Sequence, residues 1–457
     1  MIPIKPKLLA LQLNNLLNNL QLNSLKSNNF QFRLKDLWHQ SEFLSKFWLL
    51  PKFPIQPQIW SGRNWHYGRR LLALVLGFII ALVSNFPFAA LGNPNLVFGN
   101  SSPNLNGELR GVWLTDVDSD VLFSRSNLWY GIYRMKRLNI NTMYPTVWHE
   151  GYTLYPSAVA ENSFGAKVDP IPELQNRDML AEAIEMGHRR GLAVIPWFEF
   201  GLMSEERSDL TYRHPDWLTQ RQDGTQVYVS GDRNQHRFVW MNPLRPEVQQ
   251  LLVDLITEVV TKYDVDGVQL DDHFGLPVEL GYDSYTIALY QSTHNGKTPP
   301  ADINDPEWVR WRADFVTQLM GKIVSAVRAV KPKCVISLSP NPRKFSYTKY
   351  MQDWGDWINR GWLDEVVIQV YRSDLASFEQ ELDSPDLVEL RSKVPISIGI
   401  LTGLRIQNVD MSVIKAQVEA TRRRNFAGFS FFFYETLGNR NAGFLSFMPS
   451  AAGRPRI

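Results

Sequence analysis

From residue 108 to the end, the chain alternates short apolar runs with stretches whose apolar residues recur at intervals of three and four, and it does so eight times. The runs of strand length fall at residues 109–115, 142–148, 192–200, 265–274, 334–340, 365–371, 394–401 and 426–435. Helical faces lie between them. Leu128, Ile132, Met135 and Leu138 form one, Leu251, Leu252, Leu255, Val259 and Val260 another, and Trp308, Trp311, Phe315, Leu319 and Ile323 a third. Pro246 suits the first turn of its helix, and Gly191 suits a helix end before the third strand. Such strands pair in parallel, as an open doubly wound sheet or as a closed barrel. A count of eight, with no Gly-rich nucleotide turn after any strand, favours an α/β fold of the closed kind, a (β/α)8 TIM barrel over residues 108–457.

The remainder of the 457 residues reads differently. Residues 1–70 carry ten Lys and Arg against Asp36 and Glu42 and are rich in Asn, Gln and Leu, the composition of a basic, disordered leader. Arg69 and Arg70 then precede an uncharged apolar run, strongest over 71–83 and fading by 92. The strong part has the length of a signal-peptide core, and 71–92 as a whole is just long enough to span a bilayer with the basic side in the cytoplasm. Both alternatives predict export, with the barrel in the periplasm or anchored outside the cell membrane. Residues 93–107, mostly Pro, Asn, Ser and Gly, read as a linker. A net charge of +2 speaks against nucleic acid as a partner, and the lone Cys334 excludes an internal disulfide or a Cys-based zinc cluster.

Barrels of this kind do their chemistry at the C-terminal ends of the strands. Here those ends carry Asp116 on the first, Trp148, His149 and Glu150 on the second, and Trp197 and Glu199 on the third. The fourth offers Asp271, Asp272 and His273, the fifth Asn341, the sixth Gln369 and Tyr371, and the eighth Glu435. Period-two alternation groups Gln269 with Asp271, Trp197 with Glu199, and Gln369 with Tyr371 on inward faces, leaving Asp272 at the lip. Carboxylates at five strand ends, mixed with aromatic rings, suit glycoside hydrolysis. One carboxylic acid protonates the leaving oxygen while a second carboxylate attacks the anomeric carbon or activates water. Aromatic residues make up 12% of the chain, and rings at Trp148, Tyr152, Tyr155, Trp197 and Tyr371 offer flat faces for sugar C–H groups.

Asp271, ending so apolar a strand, is the first candidate catalytic carboxylate. Asp272 or Glu199 is its partner, with Glu435 third. Asp116, Trp148, His149, Glu150, Trp197, His273, Asn341, Gln369 and Tyr371 are the candidate sugar-binding residues. A divalent metal on Asp271, Asp272, His273, His149 and Glu199 is the rival chemistry, but no His-x-His ends the first strand and no Lys follows the fourth. The expectation is therefore no metal and no cofactor. Acyl transfer by a Ser/His/Asp set has no support, because no Gly-x-Ser-x-Gly occurs.

Four ordered segments, Arg110 to Thr115, His214 to Val248, Val265 to Phe274 and Trp357 to Tyr371, resemble the glycosyl hydrolase-like 10 family of bacterial envelope proteins. The stretch Val265-Asp266-Gly267-Val268-Gln269-Leu270-Asp271-Asp272-His273-Phe274 is similar to that family's DG(I/V)xxDDYF segment. Arg110 to Thr115 looks like its opening strand. His214-Pro215-Asp216-Trp217 with Met241-Asn242-Pro243 and Pro246-Glu247-Val248 looks like its HPxW…NP…PEV loop. Trp357, Gly361 to Asp364 and Gln369-Val370-Tyr371 look like its W…GWID…PQ(L/V)Y stretch. The resemblance covers about 109–437 and implies a (β/α)8 barrel acting on a polysaccharide, with some relatives associated with the peptidoglycan glycan strand. His273 stands where the family usually has Tyr, Glu199 where many relatives have Asn or Arg, and Glu435 near a strand end where relatives have Ser. These departures point to a branch with its own acid and base; a glycan-binding barrel without turnover is the second reading of the chain.

Overall fold

The computed structural model describes residues 107–230, 236–404 and 407–455. The expected leader (1–70), apolar segment (71–92) and nearly all of the linker lie outside the described residues. Among the described residues, no helix is long and apolar enough to cross a membrane.

The strands of the main sheet are β1 (Leu109–Leu114), β2 (Thr142–Pro145), β3 (Ala193–Val194 continuing to Trp197–Phe198), β4 (Gly267–Asp271), β5 (Val335–Ser339), β6 (Glu365–Gln369), β7 (Ile396–Leu401) and β8 (Gly428–Phe432). All neighbours run parallel. The first half of β3 pairs with β2 through Thr142↔Ala193, and its second half pairs with β4 through Gln269↔Trp197. β1 and β8 join through Leu109↔Gly428. The two halves of β3 are thus the two ends of one curled sheet, and residues 193–198 close it into an eight-stranded barrel. Pro196 sits at the break in β3; it has no N–H to give the ladder, but its carbonyl still accepts from Gln269 N at 2.9 Å.

A helix follows each strand: α1 (Arg125–Arg137), α2 (Met179–His188), α3 (Pro246–Lys262), α4 (Pro306–Val330), α5 (Trp354–Asn359), α6 (Leu375–Leu382), α7 (Met411–Arg423) and α8 (Asn441–Phe447). Ser124, Asp178, Asp305, Asp353, Asp374 and Asp410 cap six of them by accepting from backbone N–H groups of the first turn. Each such cap contributes about 1 kcal/mol. Leu128, Ile132 and Met135 of α1 and Leu251, Leu252, Leu255, Val259 and Val260 of α3 are buried, as their spacing predicts. The α4 face is rotated from the expected one. Trp308, Leu319 and Ile323 are buried, but Trp311 and Phe315 are only partly covered, and Arg312 lies fully inside. Its guanidinium donates to the Val278 carbonyl at 2.8 Å and to those of Leu280 and Ile303. Carbonyls of the β4–α4 loop thus solvate a charge that an apolar period does not anticipate.

Inside the barrel, polar side chains stack in tiers. Lowest, Glu365 accepts from Tyr144 and Ser337 at 2.9 Å each and pairs with Arg454. Above it, Gln269 accepts from the Trp113 indole at 2.8 Å and donates to Ser337 at 2.9 Å. The top tier holds Asp271. On β7 and β8, the Ser397 and Ser430 hydroxyls are buried without a protein hydrogen-bond partner.

Candidate active site

Asp271 is the last residue of β4 and is buried, with 1% of its surface exposed. Its Oδ2 accepts three hydrogen bonds, from the Trp197 indole at 2.8 Å, the Ser339 hydroxyl at 2.7 Å and the Gln369 amide at 3.1 Å. The donors come from β3, β5 and the end of β6, so three strands converge on one oxygen. Burial, the largest influence, pushes this carboxyl's pKa up. Hydrogen bonds from Asp272 and His273, the charge of His273 and the Ser339 hydroxyl outweigh it and hold the pKa below the ordinary value. Asp271 is therefore a carboxylate at neutral pH.

Glu199 lies just beyond β3 on the same inward parity as Trp197. Its Oε2 accepts from Thr146 at 2.9 Å and from Thr115 at 3.5 Å. Burial raises its pKa most; His149 opposes this, while the charges of Asp116 and Asp271 raise it further. The outcome is a carboxyl held well above its usual range, protonated where Asp271 is ionised. Two acidic groups of adjacent strands are thus driven apart by their surroundings. The loop after β3 must run tightly against that after β4 to bring them together. Gly201 allows this, with φ +50° and a position where a Cβ would lie 2.6 Å from Phe274 N.

His149 ends the first strand of a short hairpin, Trp148–His149 against Tyr152–Thr153, whose two-residue turn is Glu150-Gly151 with φ of 50° and 88°. Its Nδ1 lies 3.0 Å from Asp116 Oδ2. Burial lowers the imidazole pKa, but Asp116, Glu150 and Glu199 together raise it to about 10, so His149 is a cation paired with Asp116. His149 Nε2 and Asp116 Oδ1 are both buried without a protein partner. One is a donor and the other an acceptor, the pair that a sugar hydroxyl satisfies. Glu150 stands beside them, its pKa raised by burial and then by Asp116, Glu205 and Asp169.

Asp272 sits at the lip, where Asn341 donates to it at 2.5 Å, and the Asn341 Oδ1 is a further unpartnered buried acceptor. His273 Nδ1 lies 3.5 Å from Asp271, 3.4 Å from Asp272 and 3.2 Å from the Glu199 carbonyl, tying the ends of β3 and β4 together. Tyr371 is buried nearby; burial and the charges of Asp271, Asp272 and Glu199 raise its pKa.

Three expected residues are placed elsewhere or otherwise occupied. Glu435 follows β8 in a helical turn and accepts from Ser119 Oγ at 2.8 Å and Asp120 N at 3.2 Å, fastening the β1–α1 loop. Trp148 is wholly buried, its indole donating to the Gly201 carbonyl at 3.0 Å while its ring packs on Phe164. Trp197 presents its N–H to Asp271 instead of an open face. Of the other rings, Tyr155 is buried with its hydroxyl 3.3 Å from the Leu255 carbonyl, and Tyr152 accepts from Asp209 N at 2.8 Å. Ser339, Thr146 and Gln352, whose amide donates to the Asp271 carbonyl at 2.9 Å, are missing from the expected set. The alternation Ile336-Ser337-Leu338-Ser339 carried a signal for the first; nothing local marks the other two.

Ligand-type atoms of Asp116, His149 and Glu199, and of Asp271, Asp272 and His273, lie within 4.8 Å of one another in each set. Both are spaced closely enough to chelate. Three donors already crowd Asp271 Oδ2, and Asp116 already engages the imidazole, which is the pattern of a hydrogen-bonded acid network.

Comparison with known proteins bears on the same region. Residues 108–420 match the family "Glycosyl hydrolase-like 10". Glycosyl hydrolase DigH of Escherichia coli (strain K12) is 27% identical over 272 residues, covering 52% of this chain and 56% of that protein. Glycosyl hydrolase YngK of Bacillus subtilis (strain 168) is 25% identical over 342 residues, covering 67% and 59%. The chain thus spans somewhat over half the length of these relatives. Among solved structures, the PgaB (BpsB) glycoside hydrolase domain from Bordetella bronchiseptica superposes with a TM-score of 0.53 at 14% identity, covering 75% of this chain and 98% of that one. The catalytic domain of a Paenibacillus polymyxa β-amylase gives 0.51 at 9%, with the same coverage. At these identities the two structures speak for the barrel fold alone. The match over most of the barrel settles the kinship: the chain belongs to the Glycosyl hydrolase-like 10 family.

Proposed function

We propose that this protein hydrolyses glycosidic bonds of an extracytoplasmic polysaccharide, with Glu199 as the proton donor and Asp271 as the ionised partner. The observation that carries this reading is the placing of two buried carboxyl groups on adjacent strand ends, Glu199 with a single close donor among other acids and Asp271 under three donors, surroundings that raise the first pKa and lower the second. Glu199 delivers its proton to the leaving oxygen. Asp271, held by Trp197, Ser339 and Gln369, attacks the anomeric carbon in a retaining course or activates water in an inverting one. His149 Nε2 and Asp116 Oδ1 bind hydroxyls of the sugar being cleaved, and Asn341 serves at the lip. The family membership supports glycan chemistry. The apolar segment 71–92 supports a location outside the cytoplasm, where the peptidoglycan glycan strand is the first substrate to try.

The test is product formation by the parent, Asp271→Asn and Glu199→Gln, with the anomer released followed by proton NMR. New reducing ends from the parent and none from either variant support the assignment. Binding of glycan by all three with no product from any would contradict it and leave a glycan-binding barrel. Full activity in Asp271→Asn, with loss in Asp272→Asn, would move the ionised role to the lip.

A further inference from the structure

Four large aromatic side chains are strongly exposed among the described residues, and three of them, Trp129, Tyr130 and Tyr133, lie on α1. Exposed aromatics so concentrated call for an explanation. Trp129 and Tyr133 belong to a stripe at four-residue spacing, Arg125-Trp129-Tyr133-Arg137, down one face of the helix. The two rings are parallel, 1° apart with centroids at 5.5 Å. Arg190 covers Trp129 at 5.3 Å and Arg137 covers Tyr133 at 5.9 Å. The stripe forms one wall of an open groove of about 1110 Å³ on the barrel flank, whose other wall comes from α2 and the residues after it, including Met186, Arg189 and Arg190.

The groove is cationic. Arg125, Lys136, Arg137, Arg189 and Arg190 line it, against one lining acid, Glu185, which is shared by Arg125 at 3.2 Å and Arg189 at 2.9 Å. Lys136, Arg137 and Arg190 have no carboxylate partner among the described residues. With arginines over the rings, what remains on offer is guanidinium, ammonium, indole and phenol donors, which suit oxyanions better than neutral sugar faces. The groove is also linear. From Arg125 to Arg137 it runs about 18 Å along the helix axis. Its upper end follows directly on the β1–α1 loop that Glu435 fastens at the barrel mouth.

We infer that this flank groove binds an extended, carboxylate-bearing polysaccharide, several sugar units at a time, outside the candidate active site. Its use, holding a long substrate while the mouth cuts it, rests on the hydrolase reading; the binding itself does not.

The test uses the full chain carrying Asp271→Asn, so that nothing is cut, in non-ionic detergent over immobilised polygalacturonate and over neutral pullulan of matched length. The expected result is salt-sensitive binding to polygalacturonate and much weaker binding to pullulan. Arg137→Gln combined with Arg190→Gln is expected to weaken the former by about tenfold or more, the scale of one lost charge-assisted hydrogen bond. Lys136→Glu is expected to do the same, and Tyr212→Ala, an exposed aromatic elsewhere, to leave binding unchanged. These are surface changes, and melting curves are the check that each variant is folded. Equal binding to both polymers, or no loss in the groove variants, overturns the inference. So does groove-dependent binding to phosphatidylglycerol vesicles without binding to polygalacturonate, which would make the surface a membrane contact. Because binding is read without turnover, an absence of hydrolysis in the parent leaves this result standing, and failure here leaves the hydrolase reading untouched.

Discussion

Glu199 and Asp271 differ more in surroundings than in chemistry. Thr146 supplies Glu199 with one good hydrogen bond, too little to offset burial beside other acids, whereas Asp271 collects three donors on a single oxygen. Glu199→Gln is expected to lower kcat by about 10²- to 10⁴-fold, the usual contribution of a general acid, and Asp271→Asn by at least as much. In the parent, activity is expected to persist above the ordinary carboxylate range and then fall as Glu199 loses its proton; a pH–rate profile that drops near the ordinary Glu value of 4.5 would contradict this. His149 gives a stability prediction. Its folded pKa of about 10 exceeds the ordinary 6.5, so its contribution is complete below 6.5 and is lost as pH rises toward 10. Melting temperature is expected to decline across that window in the parent, and to decline less in Asp116→Asn, where the partner charge is gone.

At the scale of elements, the site depends on where β3 and β4 end. Gly201 lets the two following loops touch, and Gly201→Ala combines an unfavourable φ with a collision against the Phe274 backbone. A loss of about 1–3 kcal/mol is expected, with kcat falling further than stability alone explains because Glu199 moves away from Asp271. Wild-type kcat in a folded Gly201→Ala variant would show that the loop contact is dispensable. Much at this scale was legible in the sequence. Period-two alternation placed Asp271, Glu199 and Gln369 inward, and apolar spacing gave the buried faces of α1 and α3. Other features were not legible, for physical reasons. Glu435 sits beyond β8 in a helical turn, so strand parity says nothing about its direction. Trp148 ends in the core because the hairpin turn at Glu150-Gly151 folds it back against Phe164, a tertiary packing choice. Arg312 reads as surface on any apolar scale, yet three loop carbonyls take its charge indoors.

Over the whole molecule, barrel closure follows from the count of alternating elements, and the joining of the two sheet ends by residues 193–198 completes it. The polarity of the barrel then separates two surfaces. The mouth gathers Asp116, Glu150, Glu199, Asp271 and Asp272, while the flank between α1 and α2 gathers arginines and exposed rings. The mouth's acids were drawn from strand-end positions in the sequence, whereas the flank groove joins α1 to residues of α2 and beyond that no spacing relates. Cleavage of glycans by paired carboxyl groups at the mouth has a direct chemical signature. Its most direct test is release of new reducing ends by the purified full chain from a panel of polysaccharides that includes intact and peptide-stripped peptidoglycan glycan, with and without EDTA, beside Asp271→Asn and Glu199→Gln. Product is expected from the parent on at least one glycan, unchanged by EDTA, and from neither variant. Product that vanishes with EDTA, or that both variants release at the parent's rate, would contradict it.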